Sequence, residues 1–76
     1  MKTLWHNCLD SVAGHVSPQH FATWFRPIKA AENNGAIELS VPNRFFLEWV
    51  KEHYLLLIQD VLHRLAKKDI DIVWRT

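Results

Sequence analysis

One helix dominates this chain. Residues 44–66, nearly a third of the 76 present, carry apolar side chains at helical spacing. Pro42 and Asn43 stand immediately before them. Proline ends whatever precedes it, and asparagine is a strong N-cap. Projected at 100° per residue, Leu47, Val50, Tyr54, Leu57, Ile58, Val61 and Leu65 form the expected core face. Phe45, Trp49 and Leu56 fall within ~40° of one another on nearly the opposite side from Tyr54, with Glu52 and Gln59 beside them. Two large aromatics directed away from the core are the anomaly a functional reading must explain.

The remaining segments must pack against this helix. Thr3 caps a first helix beginning at Leu4. Its apolar arc (Leu4, Trp5, Cys8, Leu9, Val12, Ala13 and Val16) spans about half the circumference, with His6, Asn7, Asp10 and Gly14 on the rest. That is wider than the ~100° stripe a surface helix needs, so part of the arc is expected to cover something outside the monomer. Residues 14–16 form a connection. Ser17 followed by Pro18 is an N-cap with proline at the first helical position. This second helix, 18–25, stops because Pro27 disfavours helical geometry at Arg26. Phe21, Trp24 and Phe25 share one of its faces; Gln19, His20 and Thr23 share the other.

Ile28 and Ala30 point one way in a short strand. Asn33-Asn34-Gly35 reads as a hairpin turn, since Asn and Gly tolerate positive φ. Residues 36–41 alternate, with Ile37, Leu39 and Val41 inward and Glu38 and Ser40 outward. Lys67 and Lys68 suit the negative end of the long helix. Residues 69–74 alternate again, Ile70, Ile72 and Trp74 opposing Asp69 and Asp71. The order is ααββαβ: an α+β fold, a three-stranded sheet packed with helices in one domain over 1–76.

A domain of this size buries only ~60% of its unfolded surface, so its bulky residues matter. Four Trp and four Phe supply them. The one cysteine, Cys8, forms no intrachain disulfide, nothing resembles a signal peptide, and no apolar run approaches the ~20 residues of a membrane span. A cytoplasmic protein without membrane contact is the expectation. Nine Lys and Arg against eight Asp and Glu leave a net charge of +1. That is little for a protein that neutralises many phosphates.

The sequence offers no catalytic or metal constellation. Its five histidines include no i, i+4 pair, and His6 and Cys8, two apart, lie on different helix faces. Surface histidines are the simpler reading. Cys8 sits in an apolar stripe, where a thiol is usually inert. There is no phosphate loop and no paired-carboxylate signature. We therefore expect no enzyme, cofactor or metal ion.

The aromatics remain. Exposed aromatics flanked by polar groups mark binding surfaces. The alternative for Phe45 and Trp49 is that a neighbouring element covers them. For Trp5, mid-arc on the first helix, core packing is the simple reading; a position one turn from the helix start also lets a side chain extend past the domain edge.

The same residues carry a resemblance. Leu4-Trp5 with Cys8-Leu9, then Phe21-x-x-Trp24-Phe25-Arg26-Pro27, then Pro42-Asn43-Arg44-Phe45 with Trp49-Val50 and Tyr54, resemble the N-terminal domain of the bacterial replication initiator DnaA along the whole chain. The resemblance implies an α+β fold related to KH domains, without enzymatic activity, in a protein whose ATPase and duplex-binding parts lie further along. It implies weak self-association through the first helix, with Trp5 central and Leu4 and Leu9 beside it. It implies recruitment of the replicative helicase through Phe45 and the second-helix position occupied by His20, and docking of initiation regulators; Trp49 joins this group from its place beside Phe45 on the helix projection. That position is acidic in some relatives, so the expectation at His20 is either a different choice of partner or a contact that depends on pH. Weak binding of single-stranded DNA is also implied, with Arg44 and Lys51 as the cationic groups. A KH-type clamp needs a Gly-x-x-Gly loop, and none is present.

The expectation is thus a non-catalytic protein–protein interaction module. The competing reading is a single-stranded nucleic-acid-binding module using Arg44, Phe45, Trp49 and Lys51, which predicts steep salt dependence. A purely structural cap would show itself if Phe45→Ala destabilised the fold rather than a contact.

Overall fold

The computed structural model describes residues 3–76. The elements run α1 (Leu4–Val12), α2 (Pro18–Trp24), β1 (Lys29–Asn33), β2 (Ala36–Ser40), α3 (Arg44–Ala66) and β3 (Asp71–Arg75). The α+β order ααββαβ expected above is the one observed.

Each helix starts on a side-chain cap. Thr3 Oγ1 accepts from the His6 N–H at 3.1 Å, Ser17 Oγ from the His20 N–H at 3.1 Å, and Asn43 Oδ1 from the Phe46 N–H at 2.8 Å. Each satisfies one of the donors a helix N-terminus leaves open. The first turn of α1 gains a second cap from across the fold. The Glu32 carboxylate, on β1, accepts from the Leu4 and Trp5 N–H groups at 3.3 and 3.0 Å. At the far end of α3, Lys67 takes a left-handed conformation (φ 58°) and donates its N–H to the His63 carbonyl, closing the helix.

The sheet order is β1-β2-β3. β1 and β2 are antiparallel, joined by a two-residue turn in which Gly35 has φ 76°. Among the described residues Asn34 is not one of the positive-φ positions, so glycine alone takes the left-handed conformation in this turn. β2 and β3 are parallel and need a crossover connection, which α3 provides. The register places Ile37 beside Ile72 and Leu39 beside Trp74, so these four side chains share the face toward the helices. Their neighbours on β1 are Glu32 and Ala30. That explains how Glu32 reaches α1. On the other face Arg75 bridges Glu38 at 2.7 Å.

The core joins Trp5, Cys8 and Val12 of α1, Phe25 and Ile28, Ile37, Leu39 and Val41, and Phe46, Val50, Ile58, Val61 and Leu62 of α3. This corrects the face expected for α3. Phe46 and Leu62 are buried, Leu47, Tyr54 and Leu57 are half-buried, and Leu65 is 42% exposed. The apolar arc is rotated because α1 packs along α3, and residues of α1, α3 and β2 share one core. Ile28 is buried just before β1 rather than within it, and all five residues of β1 itself are exposed, as suits an edge strand.

Candidate interaction surface

α2 is held to α3 chiefly by rings. Trp24 stacks on Trp49 with centroids 3.9 Å apart and planes within 4°, and tilts against Phe46 at 5.0 Å. Phe25 meets Tyr54 at 4.8 Å and Phe21 at 5.8 Å. His53 lies 4.0 Å from the Trp49 ring, and the Arg26 guanidinium 5.6 Å from that of Phe21. The Tyr54 hydroxyl is 3.4 Å from His20 Nδ1. Offset and tilted ring pairs of this kind add ~0.5–1.5 kcal/mol each beyond burial.

This geometry separates the two aromatics that opened the sequence reading. Trp49 does not stand free: it is half-buried, with Trp24 and His53 each about 4 Å from its centroid. Two rings so close to one centroid occupy its two faces. Phe45 is 71% exposed. Its neighbour Arg44 is exposed and lies 3.7 Å from Glu48. Lys51 is also exposed, nearly two turns beyond Arg44 along the helix. His20 and Trp49 are therefore brought to one seam between α2 and α3, with Phe45 on the outward side of the same helix.

The first-helix group lies elsewhere. Trp5 does not extend past the domain edge; it is 6% exposed and belongs to the core, while Leu4 and Leu9 are half-buried against it. The Trp5 indole N–H is buried without a hydrogen-bond partner. Ala13, expected on the apolar arc, is exposed.

Cys8 is fully buried, and loss of solvent pushes its thiol up to about 12 from the ordinary 9.0. Among the described residues no group of three His, Cys, Asp or Glu is placed to hold a metal ion. Among them, too, no helix is long and apolar enough to cross a membrane. Two contributors escaped the sequence reading. His53 had a signal, since it follows Trp49 by one helical turn. Glu32 had none, because its partners are 27 and 28 residues away.

Fold and surface together define a small α+β domain whose most distinctive feature is an aromatic seam with a projecting phenylalanine. Residues 2–64 match the family model described as the DnaA N-terminal domain. Over 75 residues, 97% of the chain, the sequence is 33% identical to the chromosomal replication initiator protein DnaA of Flavobacterium psychrophilum. The chain spans only 16% of that relative's length. It belongs to the DnaA N-terminal domain family, the N-terminal part of a replication initiator and a family not known as catalytic.

Proposed function

We propose that this domain is a non-catalytic protein–protein interaction module. It recruits the replicative helicase and initiation regulators through the α2–α3 surface, and it associates weakly with itself through α1. The observation that carries the reading is Phe45: a large aromatic 71% exposed, one residue into a well-capped helix whose next residue, Phe46, packs against Trp24. A rigid apolar anchor with a cation beside it is the composition of an interface hot spot. His20 and the edge of the Trp24–Trp49 stack complete the surface. On α1, Leu4 and Leu9 keep part of their area open and are the accessible members of the self-association group. Weak self-association multiplies modest contacts by effective concentration once several initiators gather.

The nucleic-acid alternative is less well supported. Rings already lie on both sides of Trp49, leaving it no face for a base, and Arg44 and Lys51 are the only cations assigned to that role.

The test is titration of the purified domain against the replicative helicase, comparing wild type with Phe45→Ala. The variant should keep its thermal midpoint and lose at least ~2 kcal/mol of binding, about thirtyfold in Kd. Unchanged affinity sinks the reading. A large drop in midpoint would instead make Phe45 a structural cap.

A further inference from the structure

α2 differs from the other two helices in one respect: none of its seven residues is buried. Half-buried Val16 precedes it and buried Phe25 closes it, so both ends are pinned to the core. A short helix pinned at its ends can still turn about the line that joins them. Phe21 stacks on Phe25, which is itself one of the pins. Trp24 fixes the turn instead, lying flat on Trp49 at 3.9 Å and tilted against Phe46 at 5.0 Å. His20 stands one turn before Trp24 and ~40° from it around the helix. The turn that lays Trp24 on Trp49 therefore also brings His20 to α3, where its Nδ1 is 3.4 Å from the Tyr54 hydroxyl. A hydrogen bond of that length is too weak to hold a helix by itself. A Tyr54 O–H donating to Nδ1 leaves the proton of the neutral ring on Nε2, so exposed His20 offers a donor on its far side. Phe45 needs no such support, because Asn43 caps its turn and its neighbour Phe46 is buried.

We infer that Trp24 is the positioning residue of the interaction surface: its stack on Trp49 sets the turn of α2 and so aims the His20 Nε2–H at a partner already anchored on Phe45. The inference rests on the function proposed above for this surface, and adds what the partner must present. That is an apolar pocket for Phe45 and a carbonyl or carboxylate oxygen for His20. Tyr54, which marks the place of His20, lies nine residues beyond Phe45, about 14 Å along α3. The two contact points thus sit on different helices, and their spacing is only as firm as the seam between them. A small movement suffices to lose one. At a side-chain radius of ~5–6 Å, turning α2 by ~30° displaces the His20 ring by about 3 Å, which breaks a hydrogen bond without disturbing the core. Trp24 therefore acts through His20, while Phe45 keeps its place whether or not the stack is present.

Two measurements test it, the first without a partner. In proton NMR of the isolated domain, wild type should show a nuclear Overhauser effect between the His20 and Tyr54 rings. Trp24→Leu should lose it while the methyl resonances of buried Ile37 and Leu62 stay in place. Trp24→Phe, which keeps a ring on Trp49, should retain most of it. The second measurement is titration of the purified replicative helicase with single and double variants. His20→Ala should weaken binding roughly three- to tenfold, the range of one hydrogen bond. Trp24→Leu should weaken it by the same factor, and Trp24→Phe by less. Neither should weaken it further in a His20→Ala background, whereas the loss from Phe45→Ala should multiply with each. Should Trp24→Leu fail to fold, Trp24→Phe decides by the same cancellation. The inference is overturned if the ring contact survives in Trp24→Leu, or if His20→Ala binds like wild type. It is equally overturned if the Trp24 and His20 losses multiply, which would make the Trp24 edge a contact in its own right. Failure of the underlying reading looks different: Phe45→Ala would then bind the helicase as wild type does.

Discussion

At the residue scale, Cys8 shows how position removes reactivity. Its thiol lies in the core between Trp5 and Val12, and burial alone raises its pKa to about 12. The thiolate is the reactive form, so native protein at pH 8 should resist a thiol reagent, while urea-unfolded protein should react at once. The sign of the pH effect follows. The unfolded thiol deprotonates near 9 and the folded one only near 12, so between these values the folded state holds more protons. Stability should therefore decline as pH rises through that window, and Cys8→Ala should remove this part of the decline. Denaturant titrations at pH 8 and pH 10 compare the two. Absence of any difference in slope against pH would show that the thiol is more solvated than its packing indicates. Glu32 illustrates the opposite case, an exposed residue with a structural task. Its carboxylate accepts from two α1 amides, and Glu32→Ala should cost about 1 kcal/mol, comparable to losing an N-cap. Urea melts would measure it, with loss concentrated in hydrogen-exchange protection of α1.

At the element scale, local chemistry was legible in the sequence and long-range packing was not. Thr3, Ser17 and Asn43 announce helix starts because a cap and its amide are three residues apart. The turn at Gly35 and the alternation of β2 are equally local. Phe45 and Leu56 could be read as outward from periodicity, and both are exposed. The buried face could not be read to the residue. Its centre depends on where α1 and the sheet lie, and rotating the helix slightly exchanges Leu65 for Leu62 and brings in Phe46. For Trp49 periodicity left two alternatives open, and the one in which a neighbouring element covers it is observed: Trp24, on another helix, stacks on it. The corrected face makes a paired prediction. Leu62→Ala, at a fully buried position, should cost 2–5 kcal/mol, whereas Leu65→Ala should cost less than about 1 kcal/mol. Equal losses in chemical denaturation would restore the face that periodicity alone suggests.

At the scale of the whole molecule, a domain of 76 residues has little stability to lose, and Trp5 concentrates the problem. The indole ties α1 to the core, yet its N–H has no acceptor. Truncating a buried Trp to Ala costs ~3–5 kcal/mol, and each kcal/mol shifts the midpoint of a domain this size by about 4–8 °C. Trp5→Ala should therefore lower the midpoint by more than about 12 °C, and its loss of self-association would report unfolding rather than a missing contact. Trp5→Phe behaves differently. It removes part of the ring and leaves a small cavity, but it also removes a buried donor whose unsatisfied state costs ~1–3 kcal/mol. The two effects oppose, so Trp5→Phe should fall within about 1.5 kcal/mol of wild type by urea denaturation. That makes it the informative variant for α1. If it keeps the fold and still self-associates, Trp5 acts as packing beneath Leu4 and Leu9. If it keeps the fold and sediments as a monomer, the smaller ring has let Leu4 and Leu9 shift, and the α1 contact depends on how the indole packs beneath them.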